Sequence, residues 1–118
     1  MPNIIDIFPP TVLDDSISNS KLGVEFTESQ AMTTDNVDFS TAAVFTKTIT
    51  GDSTFTFSNV STGMVKTLVI SGDYSLTLPT YVKVINGEYS GSATSNFIQL
   101  ISTNDSTEVF ATISNYTV

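Results

Sequence analysis

Apolar and polar positions alternate along most of this chain. Leu22, Val24 and Phe26 alternate with Lys21, Gly23 and Glu25, and Val37, Phe39, Thr41, Ala43 and Phe45 fall on one parity that runs on to Thr50. A period of two is the strand signal. Between these runs SQAMTTDN (29–36) loses the alternation and reads as a loop. Further on, YVKVI (81–85) runs into Asn86-Gly87, a strong hairpin-turn dipeptide. The chain closes with NFIQLIS (96–102), the turn TNDST (103–107) and EVFATIS (108–114). Eight or nine short strands at regular spacing predict an all-β fold, an antiparallel β-sandwich or a jelly-roll-like small barrel.

One sentence is written twice. ITGDSTFTF (49–57) and ISGDYSLTL (70–78) share an apolar start, a Gly-Asp pair and hydroxyls alternating with Phe or Leu. Gly at the first of two turn positions suits a type II′ hairpin, so Gly51-Asp52 and Gly72-Asp73 are expected to be hairpin tips. Thr46 would then face Phe57, and Thr67 would face Leu78. Phe55, Phe57, Leu76 and Leu78 point to a core, while Thr54, Thr56, Ser75 and Thr77 face outward. Both internal duplication and a shared local requirement explain two copies. A solenoid needs at least three, and ISTNDSTEV (101–109) keeps the alternation but lacks the Gly-Asp, so a solenoid is not expected. Lys47, Lys66 and Lys83 sit inside strand patterns, where a charge can guard an edge.

Residues 1–20 differ from the rest. Pro9-Pro10 holds them extended, with Ile4, Ile5, Ile7 and Phe8 before the prolines and Asp14-Asp15-Ser16 after. This reads as an N-terminal arm, 1–20, ahead of a single β domain, 21–118. The arm's apolar cluster is a candidate for docking on a neighbouring subunit. The start MPNIIDIFPP has no basic opening or sustained apolar run, so it does not read as a signal peptide.

Composition narrows the function further. Ser and Thr supply 35 of the 118 residues and only 14% are charged, a surface of hydroxyls that suits strands. The net charge is −8, from 12 acids and 4 lysines. Four scattered lysines cannot neutralise a run of phosphates, and anionic lipid repels such a chain, so neither nucleic acid nor a membrane is an expected partner. Cys and His are both absent. That removes thiol and imidazole nucleophile chemistry and the usual zinc and haem ligands.

Oxygen ligands and carboxylates remain. Glu25 with Glu28, or Asp35 with Asp38, are the carboxylate pairs, yet Asp52, Asp73 and Asp105 occupy positions where Asp stabilises a turn. Asp14-Asp15 and Asp35–Asp38 offer oxygens to calcium, without the D-x-D-x-D-G spacing. No enzyme and no cofactor are expected. Sugar recognition would fall to Tyr74 and Tyr89, beside the proposed turns, since Trp is absent.

The segment Gly63–Asn115 resembles a β-module that recurs in tailed-phage virion proteins, often near the ends of fibre and spike chains. The resemblance is carried by Gly72-Asp73, Leu76-Thr77-Leu78-Pro79, Val82-Lys83-Val84 and Asn86-Gly87. It continues through Asn96-Phe97-Ile98-Gln99-Leu100 to Glu108-Val109-Phe110. Family members often carry Trp where this chain has Val84 and Phe110. The resemblance implies a virion structural protein, a head-fibre, decoration or tail-fibre-type subunit, located in the virion. Its expected partners are other virion proteins and copies of itself, a trimer being the preferred state. The alternative is a carbohydrate-binding or adhesin-type module that recognises a host surface.

Overall fold

The structure is a computed structural model that describes residues 19–105 and 107–118. A 3-10 turn (Asn19–Lys21) and a single helical turn, α1 (Val24–Thr27), lead into ten strands. These are β1 (Ser29–Ala31), β2 (Asn36–Asp38), β3 (Val44–Thr48), β4 (Ser53–Thr54), β5 (Thr56–Ser58), β6 (Val65–Ser71), β7 (Leu76–Thr77), β8 (Val82–Asn86), β9 (Ser95–Asn104) and β10 (Glu108–Tyr116). The all-β expectation holds.

The arrangement of the strands is a short β-solenoid, not a sandwich or barrel. Three coils of chain stack in parallel: β1 lies on β3 and β3 on β6, β2 lies on β5, and β4 lies on β7. The chain then reverses. β9 runs antiparallel to β6, β10 antiparallel to β9, and β8 closes the far edge parallel to β10. The large sheet therefore has the order β1-β3-β6-β9-β10-β8. Both long strands at the end, and the tight turn between them, are where the alternation put them.

The duplicated sentence is where the hairpin reading gives way. β3 pairs with β6 from Val44↔Thr67 to Thr48↔Ser71, and Ser53↔Leu76 and Thr54↔Thr77 continue the same offset of 23 residues. The Gly-Asp pairs are corners of successive coils rather than hairpin tips. Gly51 does not have a positive φ, so no type II′ turn forms there, whereas Gly72 has φ +114°. The two sequence copies are 21 residues apart, two fewer than the structural offset. A slip of two preserves which face each side chain takes. That is why Thr54, Thr56, Ser75 and Thr77 are exposed as expected, and Phe55 is buried, although every proposed pairing partner was wrong.

Other boundaries shift for physical reasons. Asn86-Gly87 is not a hairpin tip, since β8 pairs in parallel with β10. The run expected from Val37 to Thr50 divides into β2 and β3, separated by a bend at 39–43. SQAMTTDN holds β1 as well as loop. Leu22, Val24 and Phe26 lie in or beside α1 and are exposed, so their alternation does not mark a strand. The rejection of a solenoid fails because the first coil, β1 and β2, repeats the backbone path of the second without repeating its residues.

Each coil contributes to one core. Val37 and Phe39 come from the first, Phe45, Ile49 and Phe55 from the second, and Leu68 and Ile70 from the third, packed against Ile98, Leu100, Val109 and Ala111. An aromatic column crosses the stack, with Phe39 5.1 Å from Phe57 and Phe57 6.3 Å from Tyr81, ring to ring. Such contacts contribute about 1 kcal/mol each beyond burial.

Of the three strand lysines, Lys83 takes the expected edge position and the other two do not. Only Lys83 lies in an edge strand of the large sheet; Lys47 is in β3 and Lys66 in β6. Lys66 is 1% exposed and faces the core. Its ammonium donates to the carbonyl of Glu25 in the last turn of α1 and lies 5.6 Å from the Phe26 ring centre. Burial pushes its pKa down, and the Glu25 carboxylate partly opposes that. A free carbonyl at a helix end is a good acceptor for a buried cation, which is why this stretch forms a helical turn instead of a strand.

Asp38 ties the first coil to the second. Its Oδ1 accepts from the Ser40 backbone N–H (3.0 Å), the Ser40 hydroxyl (2.6 Å) and the Asn59 amide (2.8 Å). The Asn59 bond, then the two from Ser40, hold its carboxyl below the ordinary aspartate value.

Two predictions follow from the stacking. A Cβ on Gly72 would lie 2.2 Å from the Ile49 carbonyl oxygen, while one on Gly51 meets nothing within 4 Å. Gly72→Ala should therefore cost about 3 kcal/mol in urea melts and Gly51→Ala less than about 0.5 kcal/mol; paired hairpins would make the two costs alike. Asp38→Ala should cost about 1–2 kcal/mol at neutral pH. Because its folded pKa is depressed, this stabilisation is complete above the ordinary aspartate value and disappears as pH falls through the lower one. Wild type and variant should thus converge in acid melts.

Candidate functional site

Two surfaces stand out once the inward parity has been used for the core. The first is the corner where the Gly-Asp pairs stack. The Ser75 backbone N–H donates to Asp52 Oδ1 at 3.1 Å, and the Ser53 N–H donates to the Ser75 carbonyl at 3.0 Å. Beside them opens a cleft of about 470 Å³ lined by Asp52, Asp73, Tyr74, Ser75, Leu76, Tyr89 and Gly91. Gly91 lets the loop approach closely, since a Cβ there would lie 2.9 Å from the Tyr74 carbonyl oxygen.

The structure thus brings Tyr74 and Tyr89 together, as a recognition site would require. It also adds Asp52 and Asp73, which the sequence marks only as turn residues. The two tyrosines are not equivalent. Tyr74 is 44% exposed, so its ring is available to a ligand. The Tyr89 hydroxyl is buried without a hydrogen-bond partner, and burial raises its pKa. Its ring separates the corner from a second cavity of about 280 Å³ that reaches Leu78, Ile98 and Ile113. Tyr74 can offer a sugar a stacking face and the corner carboxylates can accept hydroxyl hydrogens; Tyr89 serves as the wall behind them.

The second surface is the outer face of the six-stranded sheet. Along β6 and along β9 as far as Ser102 the even-numbered residues are buried and the odd-numbered ones open to varying degrees. Val65 is 59% exposed, Ile85 64%, and Phe97 and Ile101 45% each. A groove of about 250 Å³ runs between Val65, Ile85, Ile101 and Phe110, floored by Gln99 and Thr112. Lys83 stands at its rim, 5.7 Å from the Phe110 ring centre and 2.6 Å from Glu108. Sequence alternation gives this parity, but which outward positions share a face depends on the antiparallel registers of β6 on β9 and β9 on β10 and on β8 lying parallel to β10.

Other proposed chemistry is placed as follows. Asp35 pairs with Lys47 at 2.6 Å, and Asp38 is held by Ser40 and Asn59. Glu25 supplies its carbonyl to Lys66. Among the described residues, no three acidic, His or Cys side chains converge to hold a metal ion. The arm cluster Ile4, Ile5, Ile7 and Phe8 lies outside the described residues. No helix among the described residues is long and apolar enough to cross a membrane.

Comparison with known proteins finds no matching family model, no matching curated protein and no matching solved structure.

Removing the unpartnered hydroxyl by Tyr89→Phe should stabilise the fold by roughly 1 kcal/mol, whereas Tyr74→Ala should change it by less than about 0.5 kcal/mol. Thermal melts of both variants check the assignment of one wall and one exposed ring.

Proposed function

We propose that this chain is a structural subunit of a tailed-phage virion, of head-fibre, decoration or tail-fibre type. It assembles through its N-terminal arm and its β domain with other virion proteins and with copies of itself. The observation that carries this reading is the outer sheet face, on which Val65, Ile85, Phe97 and Ile101 are each at least 45% exposed. Large apolar side chains exposed together on one face support the reading that a partner covers it. The resemblance of Gly63–Asn115 to phage β-modules supports the same reading. The arm would contribute Ile4, Ile5, Ile7 and Phe8 as anchors on a neighbouring protein, since buried aliphatic and aromatic side chains supply most of the energy of such contacts.

A second reading, a carbohydrate-binding module, is favoured by the corner cleft. There the exposed Tyr74 ring lies beside Asp52 and Asp73. The two readings are compatible, because a virion subunit can also recognise a host surface.

The chain should be found at fixed stoichiometry in density-purified particles, and deleting residues 1–20 should abolish its incorporation while leaving the β-domain circular dichroism intact. Absence from particles sinks the structural reading. A saturable glycan-array signal lost in Tyr74→Ala would support the recognition reading, and silence on the array would count against it.

A further inference from the structure

The outer sheet face differs from the rest of the molecule in charge as well as in hydropathy. Nine carboxylates fall within residues 19–118. Only Glu108 reaches this face, at its rim, where Lys83 neutralises it at 2.6 Å. Between the rims the outward positions are apolar, hydroxyl or amide: Val65, Phe97, Gln99 and Ile101 are exposed, and Thr67, Val69, Phe110 and Thr112 are half-buried. On a chain of net charge −8, this is a surface on which two copies can meet without opposing like charges.

We propose that this face is an isologous interface, packing against the same face of a second copy about a two-fold axis. The proposal rests on the assembly reading above and names the surface and the symmetry it uses. Three considerations favour a second copy as the occupant. A neutral apolar face is complementary to itself, whereas eight of the nine carboxylates lie off it, so a head-to-tail contact would press this face against an acidic one. Contact between identical patches closes at two subunits, which selects a dimer over the trimer expected from the sequence. The size also fits. Six strands at about 4.8 Å spacing, joined by ladders of three to nine residue pairs that average about five at about 3.3 Å rise, give roughly 600 Å² per partner once side-chain relief is counted. That is the lower edge of a specific interface, appropriate to a concentration-dependent dimer. Two such faces would stack about 10 Å apart, forming between copies the sheet-on-sheet layer that the single chain lacks.

Light scattering of the full-length chain across a concentration series tests this. A dimer fraction that rises with concentration and is lost in Ile101→Asp is the expected result. Ile101 is 45% exposed, so that variant should keep the wild-type melt. Gln99, in the central row of the face with Thr67 and Thr112, gives an independent readout. The chain has no cysteine, so Gln99→Cys should oxidise to a cross-linked dimer far faster than Thr77→Cys, which is exposed away from this face. Four outcomes overturn the proposal. A dimer that survives Ile101→Asp, or a wild-type trimer, would do so while leaving the assembly reading standing. A chain that stays monomeric to millimolar concentration, with the cysteine of Gln99→Cys shielded from alkylation, would mean that another occupant covers the face. Equal cross-linking at the two cysteine positions would show that the two-fold contact is elsewhere.

Discussion

The approach of two backbones at one corner governs this molecule. Gly72, at φ +114°, passes so close under the Ile49 carbonyl that a Cβ there would lie 2.2 Å from the oxygen. Only glycine allows both that conformation and that distance. With the approach made, the Ile49 N–H donates to the Ser71 carbonyl at 2.8 Å and Phe55 to Thr77 at 2.8 Å. The third coil is thereby locked beneath the second at an offset of 23 residues. The parallel register of β3 on β6, the aromatic column from Phe39 to Tyr81 and the single core all follow from it.

Polar side chains secure what the stacked backbone leaves open. Among the described residues the first coil is the last of the stack, with β1 at the sheet edge, and its surface carries Gln30, Asn36, Asp38 and Thr41. Asn36 donates to the Thr56 hydroxyl at 2.9 Å, and Thr41 donates to Gln30 at 2.7 Å. A polar terminal coil is what stops a repeating stack from growing without limit. At the other end Asn96, fully buried, accepts from the Ser90 N–H at 2.9 Å and donates to its carbonyl at 2.8 Å, pinning the loop before β9. Asp105 accepts from the Thr62 N–H and hydroxyl, fastening the last hairpin to the second coil's exit. Left unpaired, the buried Asn96 amide would cost about 1–3 kcal/mol, so its bonds also discriminate against slipped registers.

The same alternation that makes the core makes the outward surfaces. The last coil and the antiparallel hairpin added to it direct one parity inward and the other outward, so the outward residues of β6, β9 and β10 align into a broad face. On that face the apolar positions give the assembly reading its physical content. The corner cleft has a different origin: two successive Gly-Asp corners superpose and the loop through Tyr89 and Gly91 closes against them. The two surfaces draw on separate residues, so changes at one need not disturb the other.

The alternation of apolar and hydroxyl residues determined by itself that this is an all-β chain, which side chains of the repeat face inward, and where β9 and β10 run. Those properties depend on a period of two, which is local. Tertiary structure alone decided the rest. Alternation is the same for a parallel stack and an antiparallel hairpin, so Ile49–Phe57 and Ile70–Leu78 fit both, and the 21-residue repeat conceals a 23-residue register. Ser29–Ala31 reads as loop because SQAMTTDN loses the alternation, and only pairing with Val44–Thr46 makes it a strand. Leu22 to Phe26 reads as strand until the buried ammonium of Lys66 requires a carbonyl acceptor there. Tyr74 and Tyr89 could be named from their places beside glycines, but Asp52 and Asp73 join them only because one corner lies over the next. Long-range superposition, which no local pattern encodes, made the site.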